Sequence, residues 1–154
     1  MEIKAISYDY KLSDYKKSIF LAGSIDNGKA ENWQSDLVSE LDSEEILLFN
    51  PRRDNWNSNL EPIKENEEFR KQVEWELDHI DIADIVIFYF SEESKAPISF
   101  LELGICLEKS KDVIIYCPEK FYRKGNIDIT AEQYSFNVFS DRGKFINHLR
   151  KVLE

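Results

Sequence analysis

The stretch Ile-Val-Ile-Phe-Tyr-Phe, residues 85–90, decides the fold class, because six consecutive apolar or aromatic side chains leave neither face of a strand to water. Such a run is typical of a strand that is covered on both faces, as the strands of a parallel sheet are. Similar, shorter runs occur at residues 19–22, 46–49, 113–117 and 137–139. The five runs therefore predict five strands of one sheet.

Amphipathic segments separate these runs, with apolar residues recurring at a spacing of three or four, as on one face of a helix. They are Trp33, Leu37 and Leu41, then Phe69, Val73, Leu77 and Ile80, then Leu101 and Ile105, then residues 127–134, and last Phe145, Leu149 and Val152. The alternation predicts an α/β fold, a three-layer αβα sandwich with a doubly wound five-stranded parallel sheet in the flavodoxin-like order 2-1-3-4-5. We expect a single domain over residues 1–154, with the polar, tyrosine-rich residues 1–17 as a loose lead-in.

Composition excludes several classes of function. The 154 residues carry a formal net charge of −10, which argues against a polymeric nucleic acid as partner. No apolar run approaches the roughly 20 residues that a membrane helix needs, and no signal-peptide core is present, so we expect a cytoplasmic protein with no membrane partner. Cys106 and Cys117 lack metal-ligand or redox spacing, and no other set of residues has the spacing of a metal site.

In this fold class ligands bind beyond the carboxyl ends of the strands. The segment after the first strand, GSIDNGK at residues 23–29, has the spacing of a phosphate-binding loop. However, Ala30 replaces the Ser or Thr that holds Mg²⁺ in such loops, and Asp26 would repel phosphate. We therefore interpret residues 26–28 as a turn, and Gly23 as a position where a ligand approaches the backbone closely.

Two acidic residues in segments that lead to this edge are candidates for catalysis. Glu102 lies in APISFLELG, residues 96–104, where it is either part of a capping box with Ser99 or a nucleophile for a glycosyl carbon. Glu76 belongs to a run of acids that is mostly a solvated helix face, but it lies four residues from Gln72 and adjoins the inward stripe. A carboxyl there could protonate a leaving base, its pKa raised by the charge of its neighbour.

These residues resemble the nucleoside 2-deoxyribosyltransferase-like superfamily, which includes the 2′-deoxynucleoside 5′-phosphate N-hydrolases. The similarity extends from about residue 19 to residue 139. The sequence AGSI at residues 22–25 resembles the opening strand and glycine turn of the family, and Gly23, Ser24 and Ile25 are accordingly expected to bind substrate. Glu76 stands eight residues before Asp84, as the acidic residue of the family stands before its Ala-Asp pair, and residues 101–104, LELG, are similar to the segment with the nucleophilic glutamate.

The resemblance implies a retaining reaction without a metal or other cofactor. Glu102 would attack C1′ of a 2-deoxyribosyl group, Glu76 would act beside the leaving base, and a second base or water would then take the sugar. A cap hydrogen bond from Ser99 and the helix N-terminus would keep Glu102 ionised and aimed. The resemblance also implies a small-molecule nucleoside or nucleotide as partner and a homo-oligomer, in which Asn126 or Asn137 of a neighbouring subunit completes the site.

Two residues that differ from the family pattern, and three others with more than one interpretation, leave the function open. Arg52 and Arg53 are either surface residues or a grip on a substrate phosphate, and Trp56 either stacks on a base or covers the edge of the core. Glu76 replaces the aspartate that is usual in the family, and Ala96 stands where an Asp or Ser would contact the sugar or the 5′-phosphate. The alternatives to an enzyme are a catalytically silent module that binds a nucleotide derivative and an interaction protein on a relic fold.

Overall fold

The computed structural model describes residues 1–25, 31–41, 43–54, 57 and 59–154. Within these residues the chain forms six strands, five α-helices and one 3-10 turn, Leu12–Asp14. The strands are β1 (Glu2–Lys4), β2 (Lys17–Gly23), β3 (Ile46–Asn50), β4 (Ile85–Tyr89), β5 (Asp112–Tyr116) and β6 (Asn137–Phe139). The helices are α1 (Trp33–Glu40), α2 (Glu67–Ile82), α3 (Pro97–Glu108), α4 (Lys124–Tyr134) and α5 (Arg142–Leu153).

All neighbouring strands are parallel, and their order is β1-β3-β2-β4-β5-β6. The predicted α/β class and flavodoxin-like order are confirmed, because β2 to β6 occupy the predicted positions. The predicted number of strands was wrong by one. Residues 2–4 add an edge strand in which Ile3 pairs with Phe49 of β3 and is buried.

The rest of the lead-in is also tied to the domain, in contrast to the loose segment that we expected. Tyr10 Oη lies 2.9 Å from Nε2 of His79. Ser7 accepts a hydrogen bond of 2.7 Å through its carbonyl oxygen from the indole of Trp75, and Tyr8 donates to Asp78. The lead-in therefore lies along α2 and covers its aromatic side chains.

The sheet separates two apolar cores, because alternate residues of each strand face opposite sides. One face packs on α1 and α5, and its buried strand residues include Ile19, Leu21, Leu48, Ile87 and Tyr89. The other face packs on α2, α3 and α4, and its strand residues include Phe20, Ala22, Phe49, Phe88 and Ile115. In the part of the chain that the structure describes, no helix combines the length and apolar character that a bilayer crossing demands.

Candidate functional site

A crevice of the fold class is expected where the chain leaves neighbouring strands toward opposite faces of the sheet. β2 and β4 are adjacent, but the chain continues from β2 into α1 on one face and from β4 into α3 on the other. The loops after β2, β3 and β4 therefore all leave the sheet at the carboxyl ends of the strands and then run to different helices. We call this side of the sheet the site edge, and it is where the sequence predicts the site.

Helix α2 places Glu76 at the margin of its buried face. Its N-cap is Asn66, whose side-chain oxygen accepts hydrogen bonds from the backbone amides of Glu68 and Phe69, each 3.1 Å. Its buried residues are Gln72, Trp75, His79 and Ile80. Glu76 lies in line with this stripe and is partly buried, whereas Glu74, Asp78 and Asp81 of the same acidic run are exposed. The interpretation of that run as a solvated face holds for these three residues.

Helix α3 carries Glu102 on its inward face, but not in the way that the sequence suggested. The N-cap is Ala96, in the left-handed region at φ 44°, and Pro97 is the first helical residue. Ser99 is therefore buried inside the first turn, and no side chain caps this helix. The expected capping box is wrong, since Pro97 fixes the start of the helix and moves Glu102 into the second turn. Ser99 and Glu102 still share one face, being three residues apart.

The two carboxyl groups interact electrostatically across the α2–α3 interface. Burial, followed by the charge of Glu76, holds the pKa of Glu102 well above its usual range. Burial raises the pKa of Glu76 to about 7, while the hydrogen bond from Gln72 acts in the opposite direction. Glu102 is 7% exposed and has no hydrogen-bond partner among the described residues. The expectation that a helix N-terminus would keep Glu102 ionised is therefore wrong, because burial and the neighbouring carboxylate both oppose its ionisation.

Gln72 joins Glu76 to the loop after β3. Its side-chain nitrogen donates to Oε1 of Glu76 at 2.7 Å and to the carbonyl oxygen of Pro51 at 2.9 Å. In the sequence, Gln72 was noted only for its spacing from Glu76 and had no predicted function. The signal was present in the spacing, because residues four apart on a helix are neighbours.

The end of β2 is held tightly against β4. Gly23 has φ +141°, and a Cβ atom at this position would lie 2.1 Å from the carbonyl oxygen of Tyr89. Ser24 is fully buried, donates its amide to the same oxygen at 2.9 Å and accepts the indole hydrogen of Trp33 at 2.8 Å. Ile25 follows and is partly buried. Gly23 and Ser24 thus shape the backbone at the site edge, and their contact with substrate stays a prediction.

The two arginines after β3 are bound to neighbouring elements. Arg52 donates to the carbonyl oxygen of Glu31 at 2.9 Å and lies 3.5 Å from Oε1 of Gln34. Arg53, with 10% of its side chain exposed, forms an ion pair with Glu68 at 2.8 Å. Both arginines are partly buried, and a contact of either with a substrate anion stays a prediction.

The remaining predicted residues fall in three places. Asn126 is exposed in the first turn of α4, which follows the loop at the carboxyl end of β5. Asn137 begins β6 and lines a groove of about 470 Å³ with Ile85 and Asp112, the first residues of β4 and β5. This groove is at the opposite edge of the sheet from the predicted site. Trp56 and the turn at 26–28 lie outside the described residues. Among the described residues, no group of His, Cys, Asp and Glu is arranged to hold a metal ion.

Comparisons with known proteins identify the family and show a shared fold. A family model described as nucleoside 2-deoxyribosyltransferase like matches residues 16–121, which include both acids. A search of curated proteins found no match. Among solved structures, a conserved protein from Enterococcus faecalis V583 is similar over 88% of this chain and 98% of its own, with 12% identity and a TM-score of 0.60. The CMP N-glycosidase BcmB of Clostridium botulinum is similar over 88% and 99%, with 18% identity and a TM-score of 0.57.

Proposed function

This chain belongs to the nucleoside 2-deoxyribosyltransferase-like family, and on that basis we propose that it cleaves or exchanges the N-glycosidic bond of a 2′-deoxynucleoside or its 5′-monophosphate. The observation that carries the proposal is the coupled pair Glu76 and Glu102. Two carboxyl groups that interact at the margin of a core supply both forms that this chemistry needs, a carboxylate and a carboxylic acid.

The proposed reaction needs one proton on the pair, and the raised pKa values of both acids oppose their simultaneous ionisation. An ionised Glu102 oxygen forms an ester bond with C1′ as the bond between C1′ and the base nitrogen breaks. The electron pair of that bond leaves with the base, which accepts the proton from Glu76. Water, or the nitrogen of a second base, then attacks C1′, releases Glu102 as a carboxylate and returns one proton to the pair.

Substrate binding would redistribute the proton within the pair. Glu76 receives a hydrogen bond from Gln72, whereas Glu102 receives none from the described residues, so the proton is more stable on Glu102. A sugar hydroxyl that donates to Glu102 would stabilise its ionised form and leave the proton to Glu76. The nucleophile is therefore activated by the substrate itself.

Recognition of the substrate is assigned to the loops at the same edge. We expect the backbone at Gly23, Ser24 and Ile25 to contact the nucleoside, Ser99 to lie beside the sugar, and Arg52 to bind a 5′-phosphate, since guanidinium groups suit phosphate geometry. Trp56 would stack on the base. Asn126 lies at this edge, so it is the better candidate for a substrate contact within one subunit. Asn137 lies at the opposite edge and could complete the site only from another copy of the chain.

Base release tests the proposal directly. The purified chain is incubated with each deoxynucleoside and deoxynucleoside 5′-monophosphate, with and without a second base. CMP is included because a structurally similar protein is a CMP N-glycosidase. Free base is measured by chromatography. We expect release from at least one 2′-deoxy substrate and its loss in Glu102→Gln, with Glu132→Gln on the exposed face of α4 as the control. Mass spectrometry of the denatured protein should detect the sugar ester on wild-type chain only. Equal base release by Glu102→Gln would refute the role of Glu102.

A silent binding module is the second candidate, and Ala96 favours it. This residue is 5% exposed and caps α3 without any polar side chain, so its side chain offers no hydrogen bond to a sugar or phosphate. A rise in melting temperature with a nucleotide, in the absence of base release from any substrate, would support binding without turnover.

A further inference from the structure

Gln72 is the one described side chain that forms a hydrogen bond to either acid of the pair. It is 4% exposed, and its amide nitrogen uses both hydrogens, one on Glu76 and one on Pro51. Its oxygen, Oε1, is buried without a partner. A buried acceptor without a partner is destabilising, so the two donated bonds indicate a role beyond stability.

The carbonyl oxygen of Pro51 determines how the amide is oriented. A backbone carbonyl can only accept a hydrogen bond, so the nitrogen of Gln72, and not its oxygen, must face Pro51. The second hydrogen of the same nitrogen then points to Oε1 of Glu76, which must be an acceptor. Since the carbonyl oxygen of a carboxylic acid is a better acceptor than its hydroxyl oxygen, this bond favours the other oxygen, Oε2, as the site of the ionisable proton of Glu76.

We propose that Gln72 is a positioning residue for the reaction assigned above, because its hydrogen bond occupies Oε1 of Glu76 and favours Oε2 as the oxygen that exchanges the proton. The role of Gln72 in the reaction rests on the proposed function, whereas its effect on the protonation of Glu76 does not. Gln72 also couples the acid to the loop after β3. Glu68, Gln72 and Glu76 stand four residues apart on α2, and the first two hold Arg53 and Pro51 of that loop.

Among the described polar and charged groups near Glu76, Gln72 makes the direct hydrogen bond. Across the interface α3 presents Glu102, whose pKa is raised partly by Glu76. From the sheet, Phe20 and Ala22 of β2 pack into this core. The loop after β3 presents Arg53, which is paired with Glu68. On α2 itself, the titratable His79 interacts with Trp75 and with Tyr10 of the lead-in. Removal of the Gln72 donor should therefore act on Glu76 more than on any other group.

Two substitutions with opposite expected signs test the proposal. Gln72→Met fills a similar volume without a donor, and Gln72→Lys retains a donor and adds a positive charge. The carboxyl carbons of labelled glutamates are followed by carbon NMR against pH in the full chain, and the Glu76 signal is identified by its loss in Glu76→Gln. We expect the midpoint of Glu76 to rise by about one pH unit in Gln72→Met and to fall in Gln72→Lys.

The sign reversal separates this role from a general disturbance of the fold, which would move both variants in the same direction. Gln133→Met, an exposed position on α4, is the matched control and should leave the midpoint unchanged. An unchanged midpoint in Gln72→Met, or shifts of equal sign in both variants, would overturn the inference. If the midpoints move as expected but no substrate is cleaved by the wild-type chain, the proposed function fails while the structural role of Gln72 stands. Where cleavage occurs, its pH profile should shift with the midpoint of Glu76.

Discussion

Burial and, after it, the charge of Glu76 on α2 raise the pKa of Glu102 on α3, although the two residues are 26 positions apart in the chain (102 − 76). Both helices pack against the same face of the sheet, and the two carboxyl groups are close enough to interact. Each acid is thus harder to ionise in the folded protein than in an unfolded chain. This has consequences for stability as well as for catalysis.

The first prediction concerns the free energy of unfolding as a function of pH. The pKa of Glu76 is about 7 in the folded protein, against 4.5 for an ordinary glutamate, so between these pH values the folded state binds more protons than the unfolded state. Stability from this group is present below pH 4.5 and is lost as pH rises through 7, by at most about 3 kcal/mol. Urea unfolding at pH 5 and pH 8, followed by circular dichroism, should show this decrease.

The Glu76→Gln variant provides the comparison. It removes one ionisable group and also the charge that raises the pKa of Glu102, so its stability should fall less between pH 5 and pH 8 than that of the wild type. Glu132→Gln should retain the wild-type decrease. If the wild type and Glu76→Gln lose equal stability over this range, the two acids do not interact as described.

Much of the fold could be predicted from the sequence, because burial on both faces leaves a direct pattern. The run at residues 85–90 gave β4, Ile85–Tyr89, almost to the residue. β1 could not be found in this way, since it has three residues and a single buried side chain, Ile3. It exists because β3 offers an edge for pairing, which is a tertiary property that a three-residue pattern does not encode.

The candidate residues could be named from the sequence, whereas their burial could not. Spacing and family resemblance pointed to Glu76 and Glu102 and suggested that the charge of one acid would raise the pKa of the other, but the larger cause of both shifts is burial, which depends on how α2 and α3 pack. The expected sign of the Glu102 pKa was wrong because the effect of a helix terminus is confined to its first turn, and Glu102 lies in the second. Pro97 carried the missing information, since proline favours the first helical position and so makes Ala96 the cap.

The second prediction concerns Gly23 at the end of β2. In Gly23→Ala the new Cβ would overlap the carbonyl oxygen of Tyr89, and φ +141° is strained for any residue with a side chain. We expect a loss of more than about 2 kcal/mol in the free energy of unfolding, because β2 must move away from β4. Gly125→Ala is the control, since a Cβ there meets no atom within 4 Å; it should keep or slightly raise the stability. A Gly23→Ala protein as stable as the wild type would contradict the tight approach.

The third prediction concerns the choice between a nucleoside and its monophosphate. If Arg52 binds a 5′-phosphate, Arg52→Gln should raise KM for the monophosphate at least tenfold and change KM for the free nucleoside little, since a charge-assisted hydrogen bond is worth about 1.5–3 kcal/mol. Arg150→Gln, on α5 with 58% of its side chain exposed, is the matched control. Equal changes for both substrates would assign Arg52 to the shape of the loop instead of to phosphate recognition.

The last prediction concerns the homo-oligomer that the family resemblance implies. Helix α3 presents Ile98 and Leu101 outward, with 59% and 62% of their surfaces exposed, on the helix that also carries Glu102. A second copy that covers this face would remove apolar surface from water. We expect light scattering to give at least a dimer for the wild type and a monomer for Leu101→Lys, while Ile129→Lys, at a residue of α4 with 70% exposure, keeps the wild-type mass. A monomeric wild type, or a Leu101→Lys protein of unchanged mass, would rule out this face as the interface.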